Sequence, residues 1–339
     1  MQTFAARKQE IIDGQAAKQI FGLIRTEMAL VEAEYQQQAT SNVEVINFLG
    51  DYLRASGGKR IRPALLILSS CAAGGRGDND SVVRMATVME MLHTATLVHD
   101  DIIDNADLRR NRISVNARFG NQAAVLMGDW LYMSAFETAL KQRSLEILDI
   151  LTRLTRKMTE GELIQMTMIA NLDISEDQYF DILKRKTAYL FSGCCEIGAI
   201  LAGASSERQA ALRDFGMNLG IAFQLADDTL DFTSEQEVMG KAAGADLLEG
   251  KMTLPLIRLI QTDRSIRGTL ERVMATGSYP DDTRSDINRR LIDQGILRDT
   301  GRVALDYAER ARKSLDVFPE TEYRSALDAI PNFVVQRNK

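Results

Sequence analysis

Three observations predict an all-α fold. Apolar residues recur at helical spacing, as at Val88, Met91, Leu92 and Ala95, with Leu65, Leu66 and Leu68 upstream. No stretch sustains the strict apolar–polar alternation of a half-buried strand. No proline falls between Pro63 and Pro255, so nothing there forbids long helices.

The elements follow in order. The first residues, MQTFAARKQEIIDGQ, lack the apolar run of a signal peptide, and residues 1–41 read as an N-terminal helical extension of a single domain spanning 1–339. Glycines at Gly57–Gly58 and Gly74–Gly77 break the chain before and after the leucine-rich helix. Ser175 with Gln178, and Ser206 with Gln209, have the spacing of capping boxes and predict two helix starts. Between them FSGCCEIGAILAG, Phe191 to Gly203, is too short for a membrane span and carries Glu196, so it is expected to be a buried helix. Ten or more helices are expected in all.

Composition narrows the class of function. With 45% apolar and 26% charged residues the chain can bury a sizeable core and stay soluble. A net charge of −6 argues against general nucleic-acid binding, which shows as a basic surplus. Cys71, Cys194 and Cys195 cannot form an even disulfide framework, which points to a reducing, cytoplasmic setting.

The chemistry lies in a pattern that occurs twice. DDxxD runs from Asp100 to Asp104 in LVHDDIIDNADLRR and from Asp227 to Asp231 in LADDTLDF. Like charges four residues apart cost a helix about 0.2–0.5 kcal/mol, so two such clusters in apolar helices call for a ligand. Asp100 and Asp104 share one helical face, as do Asp227 and Asp231, while Asp101 and Asp228 project to the side. All-carboxylate donors suit hard cations, and Mg²⁺ takes few carboxylates plus phosphate oxygens and water. Cations sit near both clusters: Lys59, Arg60 and Arg62 in GGKRIRP, then Arg109, Arg110, Lys186, Lys241 and Lys251. Together they suggest a diphosphate ligand, gripped by Mg²⁺ on one side and by arginine and lysine on the other. His93 lies two turns before Asp100 on the same face. His99, Trp130 and Asp129 receive no catalytic role.

The ordered series GGKRIRP, HTATLVHDDIID with DLRR, Gly128–Asp129, Lys186–Thr187, FQLADDTLD and two glycine–lysine pairs resembles the trans-prenyltransferases, the all-E polyprenyl diphosphate synthases. The resemblance runs from about Asn42 to the C-terminus and implies an isoprenoid-synthase-type helical bundle around a deep central cavity, usually a homodimer. It implies that Asp100, Asp104 and Asp227 hold Mg²⁺, with Asp101, Asp228 and Asp231 in support. Arg109, Lys186, Lys241 and Lys251 would contact an allylic diphosphate, farnesyl or geranyl. Lys59, Arg62, His93 and Arg110 would hold isopentenyl diphosphate, and Thr187 and Gln224 would face the reacting carbons. Membrane contact would be peripheral at most, for product release.

The implied reaction is loss of diphosphate to leave an allylic cation, attack by the double bond of isopentenyl diphosphate, then loss of a proton to the departed diphosphate. A tail running back along the first helix meets Ala95 and Thr96 about one turn, ~5.4 Å, deeper. Both are small, so the tail can pass toward Leu92, Met91 and Val88. That opening and the compact first motif imply a product of the long-chain class, roughly C30–C50, suited to a quinone side chain. A short-chain synthase, a non-catalytic subunit of a heteromeric synthase, a terpene cyclase and a helical-repeat protein are the alternatives. The two intact motifs and the GGKR segment disfavour the last three.

Overall fold

The computed structural model describes residues 18–55, 57–110, 112–233, 244–280 and 282–335. It is helical almost throughout. The helices are α1 (Arg25–Gln38), α2 (Glu44–Ala55), α3 (Ile61–Ala72), α4 (Asp80–Ile103), α5 (Val115–Phe119), α6 (Asn121–Leu140), α7 (Leu145–Thr167) and α8 (Glu176–Leu183). A π-helical turn, Lys184–Ala188, joins α8 to α9 (Tyr189–Leu201). Then come α10 (Ser206–Thr233), α11 (Ala245–Leu248), α12 (Leu254–Thr262), α13 (Arg267–Thr276), α14 (Thr283–Asp293), α15 (Ile296–Ser314) and α16 (Glu322–Val335). Among the described residues the one sheet is a two-residue antiparallel pairing, Leu108 opposite Ile113 and Arg109 opposite Arg112. No described helix is long and apolar enough to cross a membrane.

Local chemistry explains several boundaries. The expected capping box at the start of α8 is present, with the Ser175 hydroxyl accepting from the Gln178 amide and the Gln178 side chain accepting from Ser175 N–H. Such a cap is worth about 1 kcal/mol. The box expected at Ser206 and Gln209 is displaced by one residue. Ser205 supplies the hydroxyl, to Arg208 N–H at 3.4 Å, and Gln209 Nε2 instead donates to the Ala204 carbonyl. Adjacent serines present the same signal, and the chain uses the earlier one. The two glycine breaks fall between α2 and α3 and between α3 and α4, as expected. Pro63 sits in the first turn of α3, where its missing N–H costs nothing.

The core forms around α3, α4, α6, α7, α9 and α10. The segment read as a buried helix is α9, whose Phe191, Cys194, Cys195 and Ile197 are fully buried. A second apolar cluster gathers α12 to α15 with Tyr179 and Leu183 of α8. Helix α10 serves both. Leu212, Phe215 and Leu219 face the first cluster, and Ile221, Leu225 and Phe232 face the second. The two aspartate motifs lie at the C-terminal ends of α4 and α10, the two longest helices described.

Candidate active site

Where α4, α7, α8, the π turn and α10 face one another they enclose a cavity of about 500 Å³. That volume lies within the usual range for a small-molecule site. Asp100 and Asp104 approach it from α4, Asp227 and Asp228 from α10. Lys186 and Thr187 enter from the π turn and Lys251 from the loop before α12, and Arg62, His93 and Arg109 line it as well. Its apolar lining includes Leu97, Met158, Leu190 and Phe223.

The π turn accounts for the reach of Lys186 and Thr187. Such turns are uncommon and gather at functional sites, because the wider turn redirects side chains that a continuous α-helix would place elsewhere. Helix α7 makes room with Gly161. A Cβ there would lie 2.7 Å from Arg185 Cβ and 3.1 Å from Lys186 Cγ. Across this contact Lys186 Nζ meets Glu162 Oε1 at 2.7 Å and also donates to Gln165.

The six aspartates stand in different surroundings. Asp100 is largely enclosed; burial, then the neighbouring Glu162, raises its pKa to about 7 against the pull of Lys186. Asp104 pairs with Lys251 at 3.0 Å, and Lys251 also holds Glu249 at 2.7 Å. Burial works against the Lys251 charge, but Asp104 and Glu249 more than compensate and raise its pKa. Asp227 is exposed at the cavity edge. Asp101 is buried under Arg109, whose Nε donates to it at 2.6 Å. Asp228 is buried at the centre of a polar chain: Thr187 Oγ1 donates to Gln224 Oε1 at 2.9 Å, and Gln224 Nε2 donates to Asp228 Oδ1 at 2.9 Å. The Tyr179 hydroxyl donates to its other oxygen. Burial, with Asp227 and Asp231 close by, raises the Asp228 pKa to about 7. Asp231 does not line the cavity; its carboxylate accepts from the backbone N–H of Gly244, Ala245 and Asp246.

Among the described residues no three His, Cys, Asp or Glu side chains stand close enough to hold a metal by themselves. The donors fit a hard divalent cation all the same. They are carboxylates on two walls of one cavity, and a cation between them would be completed by phosphate oxygens and water.

The cations divide unevenly. Arg60, in the left-handed region at φ 49°, is taken up by Glu32 and Glu90, each at 2.6 Å, and ties α1 to α4. Arg62 stands over the Phe191 ring at 5.0 Å, and its Nε finds no hydrogen-bond acceptor although buried. An unpaired buried donor at a cavity wall suits an incoming anion. Burial depresses the Arg62 pKa, and burial with Arg62, Arg110 and Arg109 nearby pushes His93 well below its usual value. His93 is thus a neutral imidazole among arginines. Arg110 donates to the Gly57 carbonyl beside a smaller pocket that Arg60, Arg109 and Asp101 also line. Lys59 is exposed on the loop before α3, and Lys241 lies outside the described residues.

The residues expected along the tail divide between the core and the cavity. Ala95 is 0% exposed and belongs to the core, as do Leu92, Met91 and Val88, and none of the four lines the cavity. Thr96 does line it. Residues that the sequence reading missed include Tyr132, Tyr179, Glu162, Gln165 and Asp246. Glu162 and Gln165, three apart on α7, carried a usable signal: an acid and an amide on one helical face opposite a lysine. Gly128 is explained by His99, whose ring occupies the space a Cβ would need, with Nε2 3.5 Å from Asp129 Oδ1.

Comparison with known proteins follows this geometry. The family model described as Polyprenyl synthetase matches residues 43–287. The chain is 37% identical to the octaprenyl diphosphate synthase of Escherichia coli K12, over 94% of its own length and 98% of that protein. It is 36% identical to the all-trans-nonaprenyl-diphosphate synthase (geranyl-diphosphate specific) of Rhodobacter capsulatus, over 94% and 97% of the two lengths. Among solved structures, polyprenyl synthase from Caulobacter crescentus, complexed with calcium and isoprenyl diphosphate, superposes with a TM-score of 0.90. It is 37% identical, over 95% of this chain and 98% of that one.

Proposed function

The chain belongs to the polyprenyl synthetase family, and from that membership we propose that it is a long-chain trans-polyprenyl diphosphate synthase. It condenses isopentenyl diphosphate onto an allylic diphosphate, farnesyl or geranyl, to make a precursor suited to a quinone side chain. One observation carries the reading: Asp100, Asp104, Asp227, Arg62, Lys186 and Lys251 meet at a single cavity that Leu97, Met158, Leu190 and Phe223 also line.

Asp100, Asp104 and Asp227 would hold Mg²⁺, which neutralises charge on the departing diphosphate when bound. Asp101 and Asp228 support that set from behind. Lys186 and Lys251 supply ammonium groups to the allylic diphosphate, with Arg109 beside them and Lys241 assigned by the motif alone. Arg62, Arg110 and Lys59 hold the diphosphate of isopentenyl diphosphate, and His93, kept neutral, donates or accepts without adding charge. Thr187 and Gln224, already linked to each other, turn their dipoles toward the reacting carbons. Leu97, Leu190 and Phe223 surround the hydrocarbon and keep water from the allylic cation.

The same reading makes the protein a cytoplasmic homodimer with at most peripheral membrane contact. Helix α6 supports it by exposing Leu126 (68%), Met133 (63%) and Leu140 (49%) at seven-residue intervals. A stripe at that spacing suits a partner helix. The experiment is incubation of purified protein with isopentenyl and farnesyl diphosphates and Mg²⁺, followed by chain-length analysis. Products beyond geranylgeranyl length are expected, and growth that stops there would overturn the long-chain assignment.

A further inference from the structure

Asp231 closes the second motif, yet its surroundings differ from those of every other aspartate in either motif. It sits in the last turn of α10, only 6% exposed, and is absent from the cavity wall. Its Oδ1 accepts from Gly244 N–H at 3.1 Å and Ala245 N–H at 3.3 Å, and Oδ2 accepts from Asp246 N–H at 3.4 Å. Its main-chain carbonyl accepts from Gly244 N–H at 3.0 Å. Both carboxylate oxygens are thus engaged by the backbone that opens α11.

Gly244 is held from the other side as well. Tyr279, in the loop after α13, donates its hydroxyl to the Gly244 carbonyl at 2.7 Å. Gly244 lies at φ 79°, a conformation that glycine adopts freely, and a Cβ there would collide with the Tyr279 hydroxyl. Beyond this clamp the chain makes one turn. Lys251 N–H donates to the Asp246 carbonyl at 2.8 Å, and the Gly250 carbonyl accepts from Ala170 N–H at 2.9 Å. Asp246 and Lys251 line the cavity, and Lys251 reaches Asp104 of the first motif.

We propose that Asp231 is a positioning residue and not a metal ligand: with Tyr279 it clamps Gly244 and so sets the segment Gly244–Lys251 that places Asp246 at the cavity wall and delivers Lys251 to the allylic diphosphate. A carboxylate suits the task because three N–H groups converge on it, and hydrogen bonds to a charged acceptor are the stronger kind. Its place in a DDxxD follows from the helix: one turn beyond Asp227, the side chain has passed the cavity edge and meets the returning backbone. The inference rests on the assignment of Lys251 to the allylic substrate. That assignment is tested separately, by Lys251→Ala.

The experiment compares Asp231→Asn, Tyr279→Phe and the double variant by steady-state kinetics at saturating Mg²⁺, by a Mg²⁺ titration of the rate and by hydrogen exchange of the metal-free protein. Asp231→Asn is expected to raise the KM for the allylic substrate about tenfold, the size of one lost charge-assisted hydrogen bond. Tyr279→Phe, which touches no acidic motif, should raise the same KM about threefold, with the KM for isopentenyl diphosphate within about twofold in both. The double variant should fall short of the product of the two single effects, since both act on one clamp. Amide exchange over Gly244–Lys251 should accelerate in each single variant. A rise in the Mg²⁺ needed for half-maximal rate in Asp231→Asn, with the allylic KM and exchange unchanged, would make Asp231 a ligand and overturn the proposal. A kinetically silent Tyr279→Phe would overturn it too. If Lys251→Ala leaves the allylic KM unchanged, the substrate assignment fails, while the exchange data still report on the clamp.

Discussion

Counted from the first aspartate of each motif, α4 and α10 share three positions at the cavity, while His93 and His99 line it from α4 alone. Thr96, Leu97 and Asp100 line it from one side, and Phe223, Gln224 and Asp227 from the other. The residues five before, Ala95 and Ala222, are both fully buried in helix packing. The correspondence ends after the first aspartate. Asp101 is buried against a cation, Arg109, whereas Asp228 is buried against neutral donors, Gln224 and Tyr179. Asp104 stays at the cavity and pairs with Lys251, whereas Asp231 leaves it for the backbone at Gly244. The helical period brings two like sequences into facing positions, and what each carboxylate does there depends on the partner that the rest of the fold supplies.

The sharpest way to break the comparison is at the positions that match. Asp100→Ala and Asp227→Ala should each lower kcat about a thousandfold or more, ~4 kcal/mol at the transition state, with helical content unchanged by circular dichroism. Near-normal turnover in one of them would show that the two first aspartates are not equivalent.

The positions four before offer the next test, because there one motif is small and the other bulky. Thr96→Phe should shorten the main product by several isoprene units, and Phe223→Ala should lengthen it or broaden the distribution. Ala95→Phe should act mainly on stability, costing about 1–3 kcal/mol by overpacking a filled core. Chain-length analysis beside thermal melts separates the two outcomes. A shorter product from Ala95→Phe at unchanged stability would restore the path toward Leu92.

The smallest effects lie at the second aspartates. Asp101→Asn leaves Arg109 without its charged partner and should cost about 2 kcal/mol in denaturant unfolding. Asp228→Asn should cost less than about 1 kcal/mol, because burial already disfavours the charged form. The sign with pH follows. The folded carboxyl titrates near 7 and the unfolded one near 3.8, so the native state binds more protons in between. That contribution is complete below the lower value and is lost as pH rises through the upper one. The cost of Asp228→Asn should therefore be smaller at about pH 8 than at about pH 5. An equal cost at both would mean that Asp228 is ionised throughout.

Much of this was legible in the sequence, for a physical reason: helices write their period locally. The all-α class, the glycine breaks, the buried α9 and the pairing of Asp100 with Asp104 all follow from residues within a turn or two of one another. The partners did not. Nothing near Asp228 in sequence points to Tyr179, and nothing near Asp104 distinguishes Lys251 from the other lysines, because those contacts depend on how distant helices cross. The difference between Ala95 and Thr96 is finer still. Adjacent residues on a helix differ by about 100°, and a count of turns does not say which of Ala95 and Thr96 faces the cavity.

The π turn at Lys184–Ala188 carries a consequence for how the chain tolerates length changes. Such a turn holds an extra residue relative to the α-helix on either side of it. Deleting one residue between 184 and 188 would therefore allow a continuous α-helix from Glu176 to Leu201. It would also rotate α9 about 100° against α8. Either the buried face with Phe191 and Cys194 would turn out of the core, or Lys186 and Thr187 would turn away from the cavity. Within these five residues a deletion is a change of phase: a substitution alters one side chain, whereas a change in the number of residues turns every side chain that follows.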